Sequence, residues 1–245
     1  MPRIDGRPLD ALRHVEMIPG FHRPSEGSVL YRAGGTVILC TASVDEKVPP
    51  FLEGKNQGWL TAEYQMHPRA NARRQERDGR GKAPSGRTQE IQRLVGRALR
   101  AAVNLEKLGP RTIVVDCDVL EADGGTRTAS ITGGFVALAL ALAKIGGLRA
   151  LRESVAATSV GGLAGLGNAL DLCYAEDSRA EVDLNVVATA TGKIVEVQGT
   201  AEGEPVERRE VDAMVDLALA GIAKLSQVQR DVLAAAGVDL KRPGA

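Results

Sequence analysis

The sequence predicts an α+β fold in which a strands-then-helix unit is used twice. Two observations carry this. Apolar residues alternate at period two over short runs and then recur at helical spacing over long ones, and this order occurs once before residue 150 and again after residue 151. A third observation is size, because 245 residues can bury a real core as one large domain or two fused halves. The expected organisation is a single pseudo-duplicated domain with halves at about 10–150 and 151–240.

Taken in order, Ser28–Arg32 and Thr36–Ala42 read as a hairpin around Ala33-Gly34-Gly35, with a third strand from Trp59 to Tyr64. Pro68 to Arg87 has no apolar period and reads as a long structureless loop. Thr88 is the expected N-cap of a helix carrying Ile91, Leu94, Val95, Ala98, Leu99, Ala102 and Val103 on one side, running through Leu105 before Gly109-Pro110. Arg93, Arg97 and Arg100 line its other side, as a solvated face, an extended basic surface or a subunit contact. Thr112–Leu120 is a strand, and Ile131–Ile145 a helix apolar nearly all round and therefore buried, with Gly133 and Gly134 allowing close approach to a sheet. The second half repeats the recipe with strands at Val155–Val160, Ala169–Tyr174, Glu181–Thr189 and Lys193–Gln198, the last two joined at Thr191-Gly192. Helices follow from Glu207 to about Lys224 and from Ser226 to Ala236, stopped by Gly237.

Composition narrows the class. Thirty-one basic and 31 acidic residues cancel, and aromatics are scarce at 3%. The first residues lack the apolar core of a secretory signal, and the longest apolar run, Phe135–Ala143, is far short of the ~20 residues that span a bilayer. The expectation is a soluble cytoplasmic protein with no membrane partner. Cys40, Cys117 and Cys173 lack Cys-x-x-Cys spacing and sit in strand-like runs, so they read as reduced core residues rather than a disulfide frame or zinc site. His14, His22 and His67 show no zinc spacing or nucleophile partner.

Three features carry chemistry. In Asp123-Gly124-Gly125-Thr126-Arg127-Thr128-Ala129-Ser130, successive glycines let backbone N–H groups converge, and the helix that follows aims its positive end at the same point. Thr126, Arg127 and Ser130 add hydroxyls and a guanidinium fork suited to phosphate. No Gly-x-x-x-x-Gly-Lys spacing is present, so this is no ATP loop. The plain alternative is a tight turn with Arg127 in a surface ion pair. The second feature is the loop, where Arg69, Arg73, Arg74, Arg77, Arg80, Lys82 and Arg87 face only Glu76 and Asp78. It suits a polyanion, or else is a solvated charge run. The third lies along Glu181-Val182-Asp183-Leu184-Asn185-Val186, where Glu181, Asp183 and Asn185 share one face at ~6.6 Å per step of two, with Asp177 just upstream. Such carboxylates suit magnesium or manganese, or simply face water. Together the three are what a reaction between two anions requires: phosphate held in line against a phosphodiester, with arginine and metal screening the charge. Phosphorolysis of RNA fits, and hydrolysis or nucleotidyl transfer is not separated from it by physics alone.

Ordered stretches then carry a likeness. Gly27-Ser28-Val29-Leu30, Gly58–Tyr64, Gly86–Leu94, Asp116–Leu120, Asp123–Ser130, Glu176-Asp177-Ser178, Asp183–Val187 and Glu196–Gly203 resemble the bacterial ribonuclease PH family over nearly the whole chain. That resemblance implies a ribosomal protein S5 domain 2-like fold, used twice, and a phosphate-dependent 3′–5′ exoribonuclease. Such an enzyme trims transfer RNA precursors and other RNA, releases nucleoside 5′-diphosphates and runs in reverse with them. It further implies a homo-hexamer built as a trimer of dimers, with inorganic phosphate as co-substrate and Mg2+ or Mn2+ as cofactor. Carried over by position, Arg87, Gly125, Thr126 and Arg127 fall where the family binds phosphate. Asp177 and Asp183 fall where it holds metal or protonates the leaving oxygen, the division between them being open, and Arg69, Arg73, Arg74 and Arg77 fall in its transfer RNA contact. His67 stands where the family has leucine, and the connection from Gly146 to Ser154 is shorter than its usual one. A catalytically silent RNA-binding ring subunit and a hydrolase using water are the rival classes. Retention of Arg87, Arg127, Asp177 and Asp183 speaks against the first, and a phosphate nest speaks against the second.

Overall fold

The structure is a computed structural model that describes residues 3–240. In the first half, strands β1 (Val15–Pro19), β2 (Gly27–Ala33), β3 (Thr36–Asp45), β4 (Trp59–Met66) and β5 (Thr112–Glu121) form one sheet in the order β1-β2-β3-β5-β4. Every pairing is antiparallel except β4 with β5. In the second half, β6 (Val155–Leu163), β7 (Gly167–Leu170), β8 (Val182–Thr189) and β9 (Ile194–Ala201) form an antiparallel sheet in the order β7-β6-β8-β9. Helices α1 (Gly86–Ala101), α2 (Leu105–Leu108), α3 (Thr126–Lys144), α4 (Tyr174–Asp177) and α5 (Arg208–Ala235) complete the chain. The fold is therefore α+β with two sheets backed by helices, as the sequence predicts.

The core is built around α3, which packs on β2 and β3 of one sheet and β6 of the other. Ile131, Phe135, Leu138 and Leu142 are fully buried on it, each contributing about 1.5–3 kcal/mol of apolar burial. Gly133 and Gly134 allow a close approach: a Cβ on Gly133 would stand 3.0 Å from Cys40 Sγ, and one on Gly134 3.3 Å from Val115, both tight contacts. By length and composition α3 could cross a membrane, but 83% of that window is buried inside the protein, so its apolarity is that of a core helix.

Several boundaries differ from expectation. Helix α1 starts at Gly86 with Ser85 as N-cap, whose hydroxyl accepts from the Thr88 amide; Thr88 lies inside the first turn, where its own hydroxyl donates to Asp78 at 2.6 Å. The helix stops at Ala101, and Val103 bridges to Leu151 instead of continuing it. The two C-terminal helices are one, because Ser226 and Gln229 face the core, where Gln229 Nε2 donates to the carbonyls of Thr132 and Val155. Polar residues on the buried face thus imitate a break. Strand β1, an edge strand ending in proline, escapes the pattern. The strand expected through Tyr174 ends at Leu170, since Asp171 at φ 55 turns the chain, and Cys173 becomes the half-buried N-cap of α4 rather than a core residue. Cys40 and Cys117 are buried opposite one another on β3 and β5.

The segment from Pro68 to Arg87 is irregular but not structureless. Asp78 accepts from the amides of Gly79 and Ser85 and from the hydroxyls of Ser85 and Thr88, which holds its carboxyl down at about 2. Ala70 is buried and accepts from the Ala122 amide, tying the segment to the end of β5. Of the arginines on the far side of α1, Arg97 pairs with Glu196 of β9 at 2.8 Å, and Arg100 donates to Leu60 and lies over the Trp59 ring.

Candidate active site

Between β5 and α3 the chain turns through Gly124 and Gly125, both left-handed at φ 78 and 65. Gly124 also has no room for a side chain, because a Cβ there would stand 2.6 Å from Leu172 O and 2.8 Å from the Cys173 carbonyl carbon. The backbone of the second half is thereby pressed onto the turn. Gly125 is the N-cap of α3 and offers no side-chain acceptor, so the amides of the first helical turn keep their donors for an external acceptor.

The turn is clamped from behind. Arg13, buried and ion-paired to Asp171 at 2.7 Å, donates to the Asp123 carbonyl at 2.6 Å. The Thr36 hydroxyl donates to the Gly124 carbonyl at 2.7 Å, and the Asp123 carboxylate accepts from the Tyr174 amide. Thr126 shares a hydrogen bond with the Tyr64 hydroxyl at 2.9 Å, and burial pushes the Tyr64 phenol up. Ser130, expected to add a donor, is fully buried and donates to the Thr126 carbonyl, so it braces the helix instead.

In front of the turn lies a cleft of about 1290 Å³ contributed by both halves. Arg87, Gly125, Thr126, Arg127, Asp177 and Asp183 all line it. Arg127 Nη1 donates to Gln198 at 3.0 Å and lies 3.8 Å from Glu90, and its side chain is 16% exposed. Asp177 ends α4 and Asp183 lies near the start of β8. Burial raises the Asp177 carboxyl, against the pull of Arg127, Arg87 and Arg13. Burial and then the charge of Asp177 raise Asp183, opposed by Arg127. Asp183 Oδ2 accepts from Asn185 at 3.3 Å, whereas its Oδ1 is buried with no hydrogen-bond partner. Glu181 is exposed and does not line the cleft. Among the described residues no group of three or more His, Cys, Asp or Glu is gathered to hold a metal. Of the basic segment, Arg73 lines the cleft; Arg69, Arg74 and Arg77 are exposed outside it.

Sequence reasoning missed a buried support beneath α4. Arg3 forms a fork with Glu176, Nε to Oε1 at 2.9 Å and Nη2 to Oε2 at 2.6 Å, and also donates to the Leu170 and Asp171 carbonyls. Glu176 closes a capping box on Cys173, and Arg3 holds its carboxyl below the usual range. The partners are 173 residues apart, and those of the Arg13–Asp171 pair 158. The only signal was three separate arginines, Arg3, Arg7 and Arg13, in an amino-terminal segment without apolar pattern.

Residues 11–144 match the model of domain 1 of the 3′ exoribonuclease family, and residues 154–221 match its domain 2. The chain belongs to the 3′ exoribonuclease family. Ribonuclease PH of Neisseria meningitidis serogroup C is 53% identical over 94% of this chain and 97% of its own length, and that of serogroup B is equally similar over the same share. The activity of this family member is phosphorolytic removal of nucleotides from RNA 3′ ends, with inorganic phosphate as co-substrate. Solved structures share the fold at low identity. Rice (Oryza sativa) Rrp46 superposes with TM-score 0.78 at 17% identity, covering 94% of this chain and 100% of that one. A chain of the Archaeoglobus fulgidus exosome with RNA bound to the active site gives 0.78 at 22%, covering 93% and 92%. These likenesses bear out the ribosomal protein S5 domain 2-like fold that the resemblance implied.

Proposed function

We propose that this exoribonuclease shortens transfer RNA precursors in the cleft at the start of α3, one nucleotide at a time. Orthophosphate sits against Arg127, Arg87 and the amides around Gly125 and Thr126. One of its oxygens attacks the phosphorus of the last phosphodiester, the bond from phosphorus to the 3′ oxygen breaks, and a nucleoside 5′-diphosphate leaves. The shortened RNA keeps that oxygen, which takes up a proton. What supports this reading is the meeting, in one cleft, of an uncapped helix N-terminus and Arg127 with two carboxylates whose ionisation burial disfavours. The guanidinium and helix end offset the repulsion between attacking and attacked anions. A raised carboxyl is also suited to lending a proton to the departing oxygen.

The same carboxylates fit magnesium or manganese. The unpartnered, buried Oδ1 of Asp183 beside a second carboxylate is a hard-oxygen donor set that suits such a cation. Asp177 and Asp183 would hold the ion, which when bound would neutralise charge on the phosphate oxygens. Arg69, Arg73, Arg74 and Arg77 take the body of the RNA, their exposure and charge being what a phosphodiester chain needs. In this reading the chain is one unit of two similar halves, about 10–150 and 151–240, that assembles as a homo-hexamer of three dimers in the cytoplasm.

The test is product identity. An RNA with an unpaired 3′ tail is incubated with magnesium, with and without phosphate. Nucleoside diphosphates only when phosphate is present are expected; monophosphates in either condition would make the protein a hydrolase, and bound, uncut RNA would make it a scaffold.

A further inference from the structure

Tyr174 is 65% exposed, more than any other large apolar or aromatic side chain among the described residues. The chain has one tryptophan, three tyrosines and three phenylalanines, and of the other exposed rings Phe21 lies outside the cleft. Phe51, also exposed, has an edge-on partner in Trp59, and Arg100 covers that tryptophan; among the described residues no ring or cationic contact involves Tyr174. Among the described residues it is the one aromatic lining the cleft.

Its root is rigid although its ring is not packed. The Tyr174 amide donates to Asp123 of the glycine turn, and α4 is locked underneath by the Arg3–Glu176 fork. Tyr174 and Asp177 are the first and last residues of α4. Three positions apart, they lie on the same side of the helix, about 4.5 Å apart along its axis. A ring fixed beside the carboxylate that faces the reacting phosphate is within one nucleotide's reach of the base being removed.

We propose that Tyr174 is the stacking platform for the base of the 3′-terminal nucleotide, an inference that rests on the phosphorolytic reading of this cleft. Every base offers a π face, so stacking holds the terminal nucleotide without regard to its identity, as an enzyme that consumes mixed sequences needs. Phosphate affinity is left to Arg127 and the helix end.

The test uses full-length protein and an RNA whose terminal base is 2-aminopurine, whose fluorescence is quenched by stacking. Bound without phosphate, the wild type quenches it and Tyr174→Ala does not. In phosphorolysis Tyr174→Ala raises the KM for RNA about tenfold to a hundredfold, with the KM for phosphate within about twofold. Tyr174→Phe, which keeps the ring, recovers both quenching and affinity. Undiminished quenching in Tyr174→Ala, or equal losses in the RNA and phosphate KM, would overturn the assignment of the ring. Quenching by the wild type with no diphosphate released when phosphate is added would leave the ring's role standing and overturn the phosphorolytic chemistry.

Discussion

Arg127 enters the cleft with Nη1 on Gln198 and a looser pairing to Glu90, while Nε and Nη2 have no partner among the described residues. A fork half-satisfied by neutral and distant partners is held in place yet open to an anion. Arg127→Ala should lower kcat/KM for phosphate about a hundredfold, the loss typical of a group that stabilises reacting charge. RNA binding measured by titration should change by less than about threefold. At Asp183 the native carboxyl lies above its unfolded value, with burial the main cause. Between the unfolded value near 3.8 and the raised native value, the folded state keeps a proton that the unfolded state has lost, so stability falls as pH rises through that window. Asp183→Asn should therefore melt higher than the wild type at neutral pH while losing turnover. The gain should vanish below pH ~3.8, where both side chains are neutral. Thermal melts across pH check this; equal melting at neutral pH would contradict the cause given for the shift.

Helix α4 has only four residues and holds its place through the buried Arg3–Glu176 pair. Arg3→Met should cost about 3 kcal/mol, toward the low end for a broken buried pair, because Glu176 then keeps only the looser ion pair with Arg7 at 3.8 Å. Replacing both residues by methionine should cost less than Arg3→Met alone, and melting curves of the three proteins test the order. None of this was legible, since partners 173 residues apart leave no local pattern. What was legible were elements whose period is set by burial. Strands β3 and β5 alternate as expected, and α3 is apolar all round because it packs on both sheets. Where polar residues face the core, as Ser226 and Gln229 do in α5, periodicity misplaced a break. The basic segment illustrates both sides: its charge was plain, but its anchoring on Asp78 was not. Replacing Arg73 and Arg74 with alanine should weaken RNA binding and lower the slope of log affinity against log salt by roughly 1.4, at about 0.7 per phosphate contact.

At the scale of the whole molecule, the site exists because two sheets share one helix. The first half supplies the glycine turn, Arg87 and Arg127, the second supplies Asp177, Asp183 and Gln198, and Gly124 permits the contact that joins them. The glycine turn and the two aspartates could be named from sequence, because each sits in an ordered motif. Their convergence, and the struts Arg13–Asp171 and Thr36 behind them, required the fold. Sedimentation should give six times the chain mass if the proposed ring forms. The most direct test is a crystal structure with orthophosphate at saturating concentration. Phosphate density is expected at the start of α3, within hydrogen-bonding distance of the Arg127 guanidinium and the first-turn amides, on the side facing Asp177 and Asp183. Density elsewhere in the cleft, with Arg127 still turned to Gln198 and Glu90 and the helix end bare, would contradict it.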